Sequence, residues 1–276
     1  MGYSVGRNFQ RMQLLNRSPL VRAQLTRSLH RATGLLRLLA SHTRVGWRLS
    51  DLASHSGLDP ATTHRLLRGL IDAGLACRVP DSRHYTLGHL TFELGLAAAP
   101  YFDLDRLTDD RLAALARELH GTIYLKLRSG VESVCVARHD GVGPVAALML
   151  DVGGRRPLCL TAGGVAILIH LSSDEQAAIE ADNRSTLLRQ GAQRWSAAHG
   201  MLARSRALGY AANLGDLAQG ICAIGVPVMA RNTDPVASLT LARADTALAQ
   251  PQADALARRL HEQAAEIASL LPSLRL

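Results

Sequence analysis

The sequence predicts an α+β chain in two parts: an N-terminal winged helix-turn-helix, then linker helices leading into a larger domain on a mostly antiparallel sheet. Three observations predict it. Residues 25–88 offer three short amphipathic helices followed by a hairpin. From residue 121 strand-like segments come in adjacent pairs rather than alternating one by one with helices. Charge is also segregated: the first ninety residues hold thirteen arginines, no lysine and four aspartates, a net +9, whereas the other 186 carry 18 basic and 19 acidic side chains.

The first segment, residues 1–24, interleaves arginine with leucine and lacks the apolar block and small-residue cleavage site of a secretory signal, so it reads as a basic tail of a cytoplasmic protein. Leu29, Ala32, Leu35, Leu36 and Leu39 then recur at helical spacing. A second helix follows in "RLSDLASHSG", with Ser50 as its expected N-cap and Gly57 at its end. The third helix, in "DPATTHRLLRGLIDAGL", has Asp59 as cap, Pro60 at its first position and Gly74 as its stop. Leu66, Leu67, Leu70 and Ile71 form one apolar face, with Thr63 half-buried beside it.

Alone, that third stretch would suit any amphipathic surface helix. Its neighbours decide, because two helices joined by a short glycine-containing turn place the second in a DNA major groove. Ala61, Thr62, Arg65 and Arg68 then face the DNA, and His64 at the margin is either a phosphate contact or plain solvated surface. "LACRVPDSRHYTLG" reads as a hairpin from Leu75 to Val79 and back from His84 to Leu87. It forms a wing whose Arg78, Arg83 and His84 reach phosphates. Such a winged helix can also serve only protein contacts, but the local net charge favours double-stranded DNA.

Composition narrows the classes further. With 47% hydrophobic and 20% charged residues the chain is globular, and no run of about 18 apolar residues predicts a membrane span. An anionic membrane would suit the charge, yet the leading segment has no aromatic-rich face to insert. Cys77, Cys135, Cys159 and Cys222 lie far apart and the histidines are scattered, so neither a metal site nor a disulfide framework nor a cofactor is expected.

Residues 89–120 read as a short linker helix ending before Pro100 and a longer one carrying Leu107, Leu112, Leu115, Ala116 and Leu119. Their apolar faces suit either a dimer seam or packing within the domain. Beyond them, Thr122–Leu127 and Val131–Arg138 read as a hairpin, "VAALMLDVG" and "RPLCLTAGGVAILIHL" as further strands and turns, "SDEQAAIEADN" and "WSAAHGMLARSRALG" as helices, "GICAIGVPVM" and "PVASLTLAR" as strands, and Gln252–Leu271 as a closing helix. No phosphate-binding glycine loop or G-x-S-x-G elbow occurs. Cys135 and His139 share a strand face but stand two residue pairs apart, too far to act as nucleophile and base, and no catalytic residue is expected.

Four stretches in order, "LDPATTHRLLRGLIDAGL", "RHYTLG", "VGGRRPLCLTAGGVAIL" and "LGYAANLGDLAQGICAIGVPVM", the last with Gly209, Tyr210, Asp216, Gly220 and Pro227, resemble the IclR family of bacterial transcription regulators. The resemblance covers nearly everything after Leu25. It implies a GAF-like regulatory domain over residues 121–276 that binds a small organic effector, often a carboxylate or aromatic metabolite, in a dimer or tetramer on operator DNA. It places Leu158, Thr161, Ala162, Gly163, Asn213, Asp216, Ala223, Thr240 and Ala242 at the effector site. Ala223 replaces a frequent cysteine, Ala242 the second of two frequent serines and Val165 a frequent lysine, which implies a less polar pocket for an aromatic effector rather than a very small acid such as glyoxylate. The rival expectations are a metabolite-converting enzyme with a DNA-binding appendage and a DNA binder that needs no ligand.

Overall fold

The computed structural model describes residues 27–41, 45–102, 104–141, 150–229, 235–244 and 248–270, and the chain divides after Phe102 into two compact units. The predicted tail at residues 1–24 lies outside the described residues. The first unit runs α1 (Arg27–Leu39), β1 (Trp47–Arg48), α2 (Leu49–Ser56), α3 (Pro60–Asp72), β2 (Ala76–Arg78), β3 (His84–Leu87) and α4 (His89–Phe102). Leu35, Leu39, Leu52, Leu67 and Leu70 close on Trp47 and Ala76 to form its core, which is the burial that the three-and-four spacing predicts.

Three local expectations change. A two-residue strand, β1, joins the wing by pairing Trp47 with Tyr85 and Arg48 with His84, giving a sheet ordered β1-β3-β2. With β1 ending at Arg48, α2 starts two residues earlier than expected. Arg48 is its cap residue without a capping side chain, and Ser50 lies inside the helix, donating to Asp51 Oδ1 at 3.1 Å. The helix α4 passes through Pro100 to Phe102. A proline there removes one i→i−4 hydrogen bond and crowds the carbonyl four residues back, but it disturbs only the last turn of the helix.

The second unit comprises α5 (Leu104–Glu118), β4 (Thr122–Ser129), β5 (Glu132–Asp140), β6 (Arg155–Pro157), a 3-10 turn (Leu158–Leu160), α6 (Ala162–Leu168), α7 (Ser173–Arg189), α8 (Ala192–Leu208), β7 (Ala211–Leu214), β8 (Ile221–Met229), β9 (Pro235–Ala244) and α9 (Gln250–Leu270). Its six strands run β6-β5-β4-β9-β8-β7, every pair antiparallel. On one face Ile123, Leu125, Ile224, Val226, Leu239 and Leu241 pack with Leu112 and Leu115 of α5 and Leu260 and Ile267 of α9. The apolar side of α5 is thus spent inside the domain. On the other face Tyr124, Cys135, Ala211, Ala223 and Ala242 pack with the 3-10 turn and α6 to α8.

The segment read as strands through "RPLCLTAGGVAILIHL" is mostly helix. All seven residues of α6 are buried, so it has no polar face to show a helical period, and a short buried helix then reads like a strand. Residues 145–149 of the "VAALMLDVG" expectation lie outside the described residues, and Leu150–Gly154 form a turn held by Gly153 N–H to Cys135 O (2.7 Å) and Cys135 N–H to Gly154 O (2.9 Å). The strand β7 was not anticipated. Among the described residues no helix is long and apolar enough to cross a membrane.

A register shift between Leu125 and Lys126 changes the phase of β5: Leu125 pairs with Ala137, but Lys126 pairs with Cys135. The extra residue, Val136, is a β-bulge. It overturns the expected common face of Cys135 and His139. Cys135 belongs to the α6 side, whereas His139 lies against α5, with Nε2 3.6 Å from Asp109.

The α6 helix sits close on β8 because Gly225 has no side chain: a Cβ there would fall 2.7 Å from the Ala162 carbonyl oxygen. Backbone cannot yield as a side-chain tip can. Gly225→Ala is expected to lower stability by about 1–3 kcal/mol, read as a lower urea midpoint with the slope unchanged.

Candidate functional site

In the first unit the third helix is set by its cap. Asp59 Oδ1 accepts the Thr62 N–H at 2.8 Å, and that bond holds the Asp59 carboxyl below its usual pKa. Thr63, expected half-buried, is fully buried, its hydroxyl donating to the Asp59 carbonyl at 2.9 Å. With Leu67 and Leu70 buried beneath, Ala61, His64, Arg65 and Arg68 are exposed and Thr62 is half-buried. The helix therefore presents two arginines among short side chains that let its backbone approach a duplex.

The wing adds Arg83, exposed, and His84, half-buried. Arg78 is exposed, but its Nε donates to the Ser82 carbonyl at 2.8 Å, so part of its guanidinium braces the wing turn. An open concavity between the wing and the start of α2 is lined by Arg48, Leu49, Ser50, Arg78, Arg83 and Tyr85. Arg48 was missed in the sequence because it is brought beside the wing by the unforeseen β1–β3 pairing with His84. Three arginines around one hollow have the charge and donors that a phosphate would need.

In the second unit, strand pairing places Ala223 opposite Ala242 and Gly225 opposite Thr240, on the face that α6 covers. Leu158 is buried in the 3-10 turn. Thr161 caps α6, accepting the Gly164 N–H at 3.1 Å. Gly163 rests on the sheet, where a Cβ would lie 2.6 Å from Thr240 Oγ1 and 2.9 Å from Ser238 Oγ. Leu158, Thr161, Ala162, Gly163, Ala223, Thr240 and Ala242 therefore cluster as the resemblance implies. The other two, Asn213 and Asp216, are engaged with each other and with α8: Asn213 Oδ1 accepts the Asp216 N–H at 2.9 Å, and the Asp216 carboxylate pairs with Arg204 and accepts the Leu214 N–H. Arg204 also donates to the Ala212 carbonyl, so the group fastens α8 to β7.

The three departures toward alanine and valine implied a less polar pocket. The cluster in the structure also holds polar groups that this reading left out. Lys126 of β4 points into the same cluster at 4% exposure, its Nζ donating to Thr161 Oγ1 at 3.3 Å and lying 5.5 Å from the Tyr124 ring centroid. Burial lowers its pKa from 10.5 to about 8. Ser238 is its register partner on β9, and the buried hydroxyls of Ser133, Ser238 and Thr240 have no hydrogen-bond partner. Lys126 of β4, Ser133 of β5, and Ser238 and Thr240 of β9 thus bring polar groups beside Ala223, Ala242 and Val165. One signal for Lys126 was present in the composition: it is the sole lysine beside thirty arginines.

Burial pushes the Cys135 thiol up to about 11. It is protonated at neutral pH and no activated nucleophile. Among the described residues no three His, Cys, Asp or Glu side chains group as metal ligands.

A basic recognition helix, a wing and a separate α+β domain define a DNA-binding regulator as the class. Residues 28–80 match the IclR helix-turn-helix domain, and residues 97–269 match the C-terminal domain of the bacterial transcriptional regulator IclR. The chain is 32% identical over 225 residues to a glycerol operon regulatory protein of Streptomyces coelicolor, covering 79% of this chain and 84% of that protein. An IclR family regulator from Brucella abortus superposes with a TM-score of 0.72 at 20% identity, covering 91% of this chain and 94% of that one. An IclR homolog from Microbacterium hydrocarbonoxydans, solved with 4-hydroxybenzoate, gives a TM-score of 0.61 at 21% identity over 90% and 99%. The chain belongs to the IclR family of bacterial transcriptional regulators.

The buried ammonium carries a stability cost with a known sign. The folded-state pKa lies below the unfolded value, so between pH 8 and 10.5 the unfolded chain binds more protons and wild-type stability rises with pH; below pH 8 the full cost applies. The shift corresponds to about 3 kcal/mol. Lys126→Met is therefore expected to stabilise the ligand-free chain by about 2–3 kcal/mol at pH 7, with the gain shrinking by about 1 kcal/mol between pH 8 and 9. Urea denaturation of both proteins across that range checks it.

Proposed function

We propose that this regulator binds double-stranded operator DNA as a cytoplasmic homodimer or homotetramer, and that a small organic effector held in its second unit alters that binding. Ala61, Thr62, Arg65 and Arg68 read the major groove, His64 lies beside it, and Arg48, Arg78, Arg83 and His84 hold phosphates. The exposed Arg65 and Arg68 above the buried Leu67 and Leu70 carry this reading: one helix packs on its own domain and offers the opposite face to a groove. Phe92, Leu94 and Leu96 of α4 are exposed, and such an apolar helix suits a two-fold seam.

The effector site is Leu158, Thr161, Ala162 and Gly163 above Ala223, Thr240 and Ala242, with Asn213 and Asp216 of the β7 segment as its further residues. The 4-hydroxybenzoate bound to the Microbacterium homolog supports an aromatic or other carboxylate effector. An effector shifts DNA affinity only by as much as it prefers one arrangement of the protein over another. A catalytic reading has no support from Cys135, which is protonated and on the opposite sheet face from His139.

Fluorescence anisotropy with the duplex upstream of the protein's own gene, over a salt series, tests the DNA half. Arg65→Ala is expected to lose preference over random DNA, by about 1–3 kcal/mol if it contacts a guanine edge. Arg48→Ala is expected to weaken all duplexes alike and to lower the salt slope by about one. Wild-type and Arg65→Ala proteins that bind a selected genomic fragment with equal preference would contradict the assignment.

A further inference from the structure

Lys126 is the one lysine in a chain that uses arginine at thirty other positions, and it is buried at 4% exposure. Arginine is harder to fit in a confined site, whereas an ammonium is a compact point charge on a flexible stem. Its charged and titratable surroundings give it no counter-ion. Arg156 on β6 adds like charge, and the Cys135 thiol on β5 is neutral. Glu132, near Arg156, is bound to Arg155 at 2.9 Å. Among the described residues no carboxylate pairs with Lys126.

The ammonium has the Thr161 hydroxyl as acceptor at 3.3 Å but no counter-ion, and the hydroxyls beside it are worse provided for. Ser238, opposite it in register, is 0% exposed and Thr240 2%, and neither hydroxyl has a hydrogen-bond partner. Both oxygens approach Gly163 at the same place as the Lys126 stem, whose Cδ would lie 2.9 Å from a Cβ there. A buried cation without a counter-ion, beside unsatisfied hydroxyls, costs stability in the protein by itself. A site that breaks the packing rules in one place, with matched chemistry, points to a ligand.

We propose that Lys126 is the anion anchor of the effector site and sets its specificity, its ammonium and the Ser238 and Thr240 hydroxyls receiving the negative group of a small organic acid. This rests on the reading of the second unit as a small-molecule sensor. A neutral analogue leaves the ammonium uncompensated and is rejected, as a site built for a charged partner rejects a ligand lacking it. Because α6 closes over the cluster, the acid enters as the Leu158–Gly163 segment moves off the sheet, which gives the ligand a structural change to select.

The test uses the full chain at constant chloride, with thermal shift and calorimetry against acetate, pyruvate, benzoate and 4-hydroxybenzoate, each paired with its primary amide. At least one acid is expected to stabilise the wild type while its amide does not. Lys126→Met is expected to weaken that acid by about 10- to 100-fold, the range for a lost charge-assisted hydrogen bond, and Ser238→Ala by less. Circular dichroism and DNA binding unchanged from wild type show that the variants fold. An amide that binds as tightly as its acid, or a Lys126→Met protein that keeps the acid, overturns the proposal and leaves the sensing reading intact. No stabilisation by any acid or amide overturns both.

Discussion

The sheet of the second unit is covered on both faces, and strand alternation therefore sends each second residue of β4, β8 and β9 into one of two environments. On the α5 and α9 side those residues are Ile123, Leu125, Ile224, Val226, Leu239 and Leu241. On the α6 side they are small or polar: Lys126, Ala223, Gly225, Ser238, Thr240 and Ala242. One side is a tightly filled core that holds the domain together. The other is also buried, but it contains the hydroxyls of Ser133, Ser238 and Thr240 without hydrogen-bond partners.

The same alternation explains how a cation comes to be buried. Lys126 follows Leu125, and a strand cannot turn Leu125 into the core without turning Lys126 toward α6. The bulge at Val136 then sets Cys135 rather than its neighbours opposite the lysine, so the adjacent ionisable group is a thiol, held neutral by burial. Gly163 and Gly225 bring α6 down onto the cluster at distances that any side chain would obstruct. The domain is thus built around a polar patch it does not satisfy by itself.

The sequence was most legible where the determinants are local. The Asp59 cap, Pro60 and the spacing of Leu67 and Leu70 lie within one helix, and they define both its ends and its exposed face. The resemblance likewise pointed to Thr161 and Gly163, which lie in one contiguous motif and which the structure sets against Thr240. What stayed hidden depends on pairing between segments distant in the chain. Arg48 reaches the wing only through β1, and Lys126 meets Thr161 and Ser238 across a gap of 35 residues in one case and across β4–β9 pairing in the other. Asp216 illustrates the converse, since its motif is present but Arg204 claims its carboxylate.

The most direct test is the protonation of Lys126 itself. Because the chain has a single lysine, growth on lysine carbon-13-labelled at Cε gives one side-chain NMR signal, whose shift can be followed with pH. The account predicts a midpoint near 8 in the ligand-free protein, moving upward when an organic acid binds, because a bound anion favours the charged amine. A midpoint near the ordinary 10.5, unmoved by every acid that binds, would contradict it.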